Sequence, residues 1–174
     1  MDYKQKYLKY KSKYLNQKNN QNGGQQGGWF EKLGFIKTSV AEQIGKQNWE
    51  ELWTYREIIG EQLVSSYLAD EKISYGKLPQ NPPPHFERAI KNVTEVTDMS
   101  KLQKYPYITT LIIGNTFKGP VDEASLPKNL KHITYPWQYN YPINTSLLPK
   151  HLESITFQGK NMLQGAAPPT LRIY

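Results

Sequence analysis

Residues 126–143 are LPKNLKHITYPWQYNYPI, and residues 148–161 repeat the outline of this stretch as LPKHLESITFQGKN. Corresponding residues, such as Leu126 and Leu148, are 22 positions apart. A fixed period in the range of about 20–50 residues is typical of repeat proteins, in which every unit supplies one element to a shared core. The period of 22 residues therefore predicts a repeat fold.

Three copies of one short core share the pattern apolar-x-x-apolar-x-apolar. Its second half alternates as a β-strand does, with two side chains inward and one outward. Its first apolar residue enters the core from the preceding turn. Stacked strands of this kind form a shared core that a single strand cannot form alone. The predicted core residues are Ile108, Leu111, Ile113, Leu130, Ile133, Tyr135, Leu152, Ile155 and Phe157.

The residues between these core positions predict an outward surface. Equivalent positions of the copies form columns, which line the surface that contacts partners in stacked-repeat proteins. Lys131 is predicted to pair with Glu153 across the sheet, an interaction worth on the order of tenths of a kcal/mol. The candidate binding surface is Thr109, Thr110, Ile112, Lys131, His132, Thr134, Glu153, Ser154 and Thr156.

The segment after the strand is repeated as well. Phe117-Lys-Gly-Pro120-Val121 corresponds to Tyr139-Asn-Tyr-Pro142-Ile143, again 22 residues later. With the Leu-Pro ahead of the strand, this arrangement resembles FNIP repeats, a leucine-rich-repeat subclass. Their pattern is LP-x-x-L-x-x-L-x-F-G followed by F-N-x-P-I. Residues 126–147 match it best, residues 104–125 lack the Leu-Pro, and residues 148–169 lose the second half.

The resemblance covers residues 90–174 and implies an α+β fold. N-terminal helices would precede a short leucine-rich-repeat-like β-solenoid of about three to four turns. Val93–Val96 is interpreted as a degenerate earlier strand and residues 168–174 as a truncated further repeat. FNIP repeats are known mostly from amoebae and from the giant DNA viruses that infect them, which implies an origin of the same type.

Composition separates five segments along the chain. Residues 19–28, NNQNGGQQGG, contain no apolar residue, which is typical of a flexible linker. Consecutive prolines from Leu78 to Phe86 stop helix formation because they lack backbone N–H donors. The predicted segments are a Lys/Tyr-rich helical tail at 1–18, the linker at 19–28, a helical cap region at 29–77, a Pro-rich connector at 78–89 and the repeats at 90–174.

Residues 29–75 have a helical pattern. Asn48 followed by Glu51 has the spacing of a capping box and predicts the start of a long helix from about Trp49 to Ala69. Apolar residues at helical spacing predict that one face of this helix is turned toward a core. They are Trp49, Leu52, Trp53, Ile59, Leu63 and Tyr67.

Most of the net charge of +7 belongs to the tail, where six Lys accompany Asp2 alone. The remainder carries 16 basic and 14 acidic side chains, so a nucleic-acid groove across the repeats is not expected. Tyr residues spaced by 4, 3 and 4 predict a helical stripe. This helix would dock on a virion assembly, contact nucleic acid weakly, or stay solvated and frayed. The predicted tail contacts are Lys4, Tyr7, Lys9, Tyr10, Lys11, Lys13 and Tyr14.

A second resemblance concerns the same tail. YLKYKSKYLNQK followed by a Gly-Gly linker is similar to the opening of many giant-virus proteins. Some viral structural proteins are cleaved after Gly-Gly, so Gly23-Gly24 and Gly27-Gly28 are candidates on this resemblance, with a plain linker as the alternative. FNIP proteins often carry an F-box ahead of the repeats. Residues 29–77 lack the Leu-Pro-x-Glu opening of that domain, so a helical cap is the preferred interpretation.

No residue pattern predicts catalysis. The chain has no Cys, which excludes disulfides and thiolate sites. His85, His132 and His151 lack the spacing of metal ligands. His132 and His151 are expected to be solvated. Asp122 and Glu123 are adjacent on a turn and point in different directions, so they do not form a catalytic pair.

The predicted function is a non-enzymatic protein–protein interaction module with an unidentified protein partner and no cofactor. The alternatives are a virion or scaffold component docked through the tail, and a degenerate F-box-type ubiquitin-ligase substrate receptor. No apolar run approaches the roughly 18 residues needed to span a bilayer. The N-terminus lacks the apolar stretch of a signal peptide. The expected location is therefore the virion or the host cytoplasm.

Overall fold

The computed structural model describes Val40 and residues 42–160 and 162–174. The predictions for the tail, the linker and the Gly-Gly sites lie outside these residues. The chain divides into two compact units, with the boundary between Tyr67 and Leu68. No helix in the described part of the chain is long and apolar enough to cross a membrane.

Helices occupy most of the described residues up to Asp70. Residues 42–46 are helical, and α1 (Trp49–Thr54), α2 (Arg56–Ile59) and α3 (Glu61–Asp70) follow. The prediction of one long helix from Trp49 to Ala69 is wrong. Breaks occur at Tyr55 and at Gly60, whose φ of 92° is a conformation that glycine adopts without steric cost. Asn48 makes no capping hydrogen bond through its side chain.

The apolar face predicted for this region is largely confirmed. Trp49, Leu52, Trp53 and Tyr67 are buried, Leu63 is half-buried, and the side chain of Ile59 lies outside the described part of the structure. The guanidinium of Arg56 lies 5.3 Å from the centre of the Trp53 ring.

Six strands then form one parallel sheet. They are β1 (Lys72–Ser74), β2 (Asn92–Val96), β3 (Thr110–Ile113), β4 (His132–Tyr135), β6 (Ser154–Phe157) and β8 (Arg172–Ile173), and they are ordered in the sheet as in the chain. Between them, β5 (Ile143–Asn144) and β7 (Leu163–Gln164) form a separate two-stranded parallel sheet. The mixture of helices and a parallel sheet confirms the α+β class.

One apolar column runs through the six strands at a constant register. It consists of Ile73, Val93, Leu111, Ile133, Ile155 and Ile173. Successive members are 20, 18, 22, 22 and 18 residues apart. The first five are buried, and Ile173 on the last strand is 41% exposed. The connections therefore vary in length while the strands stay aligned.

A backbone hydrogen bond closes the turn before each of four strands. The N–H of Leu130 donates to the carbonyl of Pro127 at 3.0 Å, and Leu152 and Leu171 repeat this bond to Pro149 and Pro168. Ile108 donates to Tyr105 in the same way at 3.3 Å. Proline suits the acceptor position because it contributes its carbonyl and lies outside the ladder. Ile108, Leu130 and Leu152 are thereby turned inward and are buried, as predicted.

Three strands of the large sheet, β1, β2 and β8, lie outside the three predicted copies. The predicted strand at Val93–Val96 is part of β2, and β8 lies within residues 168–174, the predicted truncated further repeat. β1 was not predicted and lies in the 29–77 segment interpreted as helical. A short helix, α4 (Phe86–Ala89), lies in the Pro-rich connector.

Phe157 is an exception among the nine predicted core residues. The other eight are buried, whereas Phe157 is half-buried. Its backbone N–H bonds to the carbonyl of Tyr174 at 2.9 Å, but the neighbouring strand β8 has only two residues. A strand of this length leaves the Phe157 ring partly uncovered on that side.

An extra residue in β2 distorts the ladder next to β3. Val93 pairs with Leu111 but Val96 pairs with Ile113, so two residues of β2 oppose one residue of β3. Glu95 at this bulge has a φ of 56°, which is uncommon for a residue with a side chain. The 18-residue spacing between Val93 and Leu111 coincides with this irregularity.

The turns after β4 and β6 approach each other closely at Gly159. A Cβ atom at this position would lie 2.8 Å from the Cα of Trp137, and main-chain atoms cannot move aside cheaply. We expect Gly159→Ala to lower the free energy of unfolding by about 1–3 kcal/mol, as overpacking does. Gly76→Ala is the matched control, because an added Cβ there meets no atom within 4 Å. Equal urea midpoints for the two variants would contradict this packing.

The register of β4 can be tested with two neighbouring residues. Ile133 is 1% exposed, and Ile133→Asp would place an unpaired carboxylate in the core. We expect a loss of about 4 kcal/mol or more in urea unfolding, against less than about 1 kcal/mol for exposed His132→Asp. Similar losses for both variants would show that the register is wrong.

Candidate binding surface

The strand pairing places the predicted outward residues in columns. Thr110, His132 and Ser154 are aligned across β3, β4 and β6. A second column holds Ile112, Thr134 and Thr156. The predicted alignment is confirmed, and the binding role of these residues stays a prediction.

The first column is longer than predicted. Lys72 and Asn92 precede Thr110 in the same register, and Arg172 follows Ser154. These residues were missed because the strand at Lys72 has no Leu-Pro ahead of it and the spacing departs from 22. The column therefore carries a basic side chain on both edge strands.

Thr109, Lys131 and Glu153 lie just before their strands, where successive carbonyls accept backbone bonds from the next strand. The carbonyl of Thr109 accepts the N–H groups of Lys131 and His132 at 2.8 and 3.0 Å. The carbonyl of Lys131 accepts those of Glu153 and Ser154 at 2.7 and 3.0 Å. This ladder holds the three side chains next to one another.

The predicted ion pair between Lys131 and Glu153 is present, with Nζ 2.7 Å from Oε1. Both side chains are about half exposed, at 49% and 54%. The hydrogen bond from Lys131, together with its charge, lowers the pKa of the Glu153 carboxyl. The pair fixes the two side chains against each other on the surface, and solvent screening keeps its contribution to stability small.

Replacing Lys131 by Gln is expected to return the pKa of Glu153 toward its ordinary value, because the charge and most of the hydrogen-bond strength are lost. A lowered folded-state pKa means that the pair stabilises the fold above the pKa of the unfolded carboxyl. That contribution is lost as the pH falls through the folded-state value. Carboxyl ¹³C titration measures the shift, with exposed Lys118→Gln as the control. An unchanged titration of Glu153 in Lys131→Gln would contradict this assignment.

One group on the surface has the residue types of a catalytic triad. It consists of Ser154, His132 and Glu153, which would correspond to a nucleophile, a base and an acid that orients the base. Nδ1 of His132 lies 2.9 Å from Oγ of Ser154, and Nε2 lies 4.0 Å from Oε2 of Glu153. The second distance is too long for a hydrogen bond. His132 is 47% exposed, and Glu153 is bound to Lys131. The group lies open on the sheet, where water competes for each contact.

Other carboxylates have structural partners. Asp122 accepts the N–H of Ala124 at 3.1 Å, and Glu123 accepts the N–H of Asn144 at 3.1 Å. These two adjacent residues thus bind different backbone groups. Among the described residues, no three His, Asp or Glu side chains lie close enough to hold a metal ion.

Aromatic side chains pack on the side of the sheet opposite the outward columns. The ring of Tyr135 is stacked on Phe157 with centroids 5.5 Å apart and lies 4.7 Å from Tyr139. Burial raises the pKa of the Tyr135 hydroxyl, so this group stays neutral. The hydroxyl of Tyr139 accepts the N–H of Val121 at 2.9 Å and links two successive repeats.

Two of the grooves on the described residues lie along the sheet. The turn groove, of about 640 Å³, runs along the turns that enter the strands. It is lined by Lys91, Tyr107, Thr109, Asn129, Lys131, Lys150, His151, Leu152, Glu153 and Thr170. His151, predicted to be merely solvated, is exposed and lines this groove.

The bulge groove, of about 480 Å³, lies near the other ends of the strands. Ser74, Thr94, Glu95, Thr97, Asn115 and Gln158 contribute polar groups to its wall. Glu95 is held there by the hydroxyl of Ser74 at 2.7 Å. Most of its lining side chains are therefore small and uncharged.

Comparison with known proteins gives one match and two negative results. No curated protein matches the chain significantly, and no solved structure does. Residues 120–160 match the family described as FNIP Repeat. The match includes β4, β5 and β6, and it confirms the FNIP resemblance for this part of the chain.

Proposed function

We propose that the chain is a non-enzymatic protein-interaction module whose FNIP-type repeats form a short leucine-rich-repeat-like solenoid. The observation that carries the proposal is the six-stranded parallel sheet in chain order, which aligns outward side chains in columns. Solenoids present such columns to protein partners. The FNIP match at residues 120–160 supports the same function, because these repeats are generally protein-interaction repeats.

The chemistry of the columns favours a protein ligand. Outside the Lys131–Glu153 pair, the predicted surface consists of threonines, a serine, a histidine and Ile112. Side chains of this kind form hydrogen bonds and apolar contacts without a strong field. Their short stems also lose little conformational entropy when a partner covers them.

The two resemblances extend the proposal to a viral protein located in the virion or the host cytoplasm. Residues 1–18 would then dock on an assembly or contact nucleic acid weakly. Residues 29–77 would act as a helical cap, with a degenerate F-box as the alternative. Deleting residues 1–28 separates any role of the tail from that of the repeats.

The proposal is tested by placing bulky charges on the columns. We expect His132→Arg/Thr134→Arg to recover at least tenfold less of its protein partner than the unchanged chain does, because two arginines obstruct the centre of the surface. Affinity capture followed by mass spectrometry measures this amount. Gln138→Arg/Asn140→Arg is the matched control, since both residues are exposed in the segment after β4. Circular dichroism establishes that both variants are folded.

The comparison of the two variants shows whether the partner binds through the columns. Proteins that are lost with the column variant and kept with the control identify the partner and its surface. Recovery of the same proteins by both variants would contradict an interaction through the columns.

A further inference from the structure

We propose that the turn groove binds an extended segment of a protein partner that carries acidic side chains. The inference rests on the proposed interaction function and names the chemistry of the partner. It also extends the binding surface from the strands, where the sequence predicts it, to the turns that lead into them.

The turn groove is built from two columns of equivalent residues. One column consists of Tyr107, Asn129 and His151, which are 22 residues apart, and continues to Thr170 in the last turn. The other consists of Lys91, Thr109, Lys131 and Glu153, which the backbone ladder aligns before their strands. The groove therefore crosses the turns ahead of five successive strands, from β2 to β8, at one level of the sheet.

The length of this groove suits an extended chain. Neighbouring strands are spaced by about 4.8 Å, so the five strands from β2 to β8 span roughly 19 Å. An extended peptide advances about 3.3 Å per residue and would place about six residues along this distance. Every second side chain of such a segment would point toward the groove.

The groove carries an excess of positive charge, which favours an anionic ligand. Lys91, Lys131 and Lys150 face one carboxylate, that of Glu153, and it is paired with Lys131. Within the described residues, neither Lys91 nor Lys150 has a carboxylate at ion-pair distance. Two ammonium groups are thus left to bind acidic side chains of a partner.

Lys91 has the most distinctive surroundings of the three lysines. Its ammonium lies 5.2 Å from the centre of the Tyr107 ring, and the side chain is half-buried. This partial burial removes some water from the charge and lowers the pKa of Lys91. A carboxylate placed beside it would stabilise the charged form and compensate for that lost hydration.

The same observations disfavour nucleic acid as the ligand. Phosphate chains are bound by successive basic side chains that each neutralise a phosphate. Here the carboxylate of Glu153 interrupts the basic residues of the groove, and the adjacent columns on β3, β4 and β6 are mostly neutral. A peptide can space its acidic residues to meet Lys91 and Lys150 and avoid Glu153.

The test uses fluorescence anisotropy with the full chain and a fluorescein-labelled ten-residue peptide that contains four glutamates separated by Gly and Ser. We expect binding that weakens with added salt and at least a tenfold higher Kd for the matched peptide with Gln in place of Glu. Lys91→Gln/Lys150→Gln should raise the Kd for the acidic peptide at least tenfold. The control Lys118→Gln/Lys160→Gln removes two exposed lysines outside the groove and should stay within twofold.

Lys150 is exposed, so the single variant Lys150→Gln reports on binding even if the half-buried Lys91 cannot be replaced without loss of folding. We expect it to raise the Kd at least threefold. Failure of the acidic peptide to bind, or equal binding by the groove variants and the control, would overturn the inference. A ten-nucleotide single-stranded DNA is compared with the acidic peptide. If the DNA binds more tightly and the same lysine variants abolish its binding, the ligand is a nucleic acid and the inference is overturned. A captured partner that is lost with His132→Arg/Thr134→Arg and kept with the groove variants would leave the interaction function standing without this inference.

Discussion

The parallel backbone ladder is the interaction on which the rest of the sheet depends. The longest strand in the described chain, β2, has five residues, and a strand of this size cannot bury its own apolar face. The ladder aligns one apolar residue from each strand, from Ile73 to Ile173, and this column forms the centre of the core. Stability is therefore shared between neighbours, and each strand is held by the strands beside it.

The same register that forms the core also orders the outer surface. When Ile133 lies beside Ile155, Lys131 must lie beside Glu153 and His132 beside Ser154. The ion pair and the histidine–serine contact thus follow from the backbone and need no separate explanation. The two columns of the turn groove arise in the same way, which links the packing of the interior to the position of any ligand.

The period of 22 residues is strong enough to predict β3, β4 and β6, their buried residues and the alignment of their outward side chains. It cannot predict β1, because Ile73 lies 20 residues before Val93 and no Leu-Pro precedes it. The breaks at Tyr55 and Gly60 were missed because apolar spacing alone does not show where a helix is interrupted. The turn groove was missed because Tyr107, Asn129 and His151 share a position but no chemistry, although their 22-residue spacing was visible in the sequence.

Equivalent residues along the turn groove have a consequence for how such a protein can evolve. Duplication of one unit, such as residues 126–147, would insert a strand and a turn together and would leave every other pairing in place. The groove would then gain one more pair of lining positions, about 4.8 Å further along, without redesign of the existing ones. Changes in ligand length could thus arise by recombination between repeats, while point mutations in single turns adjust which residues the lengthened groove prefers.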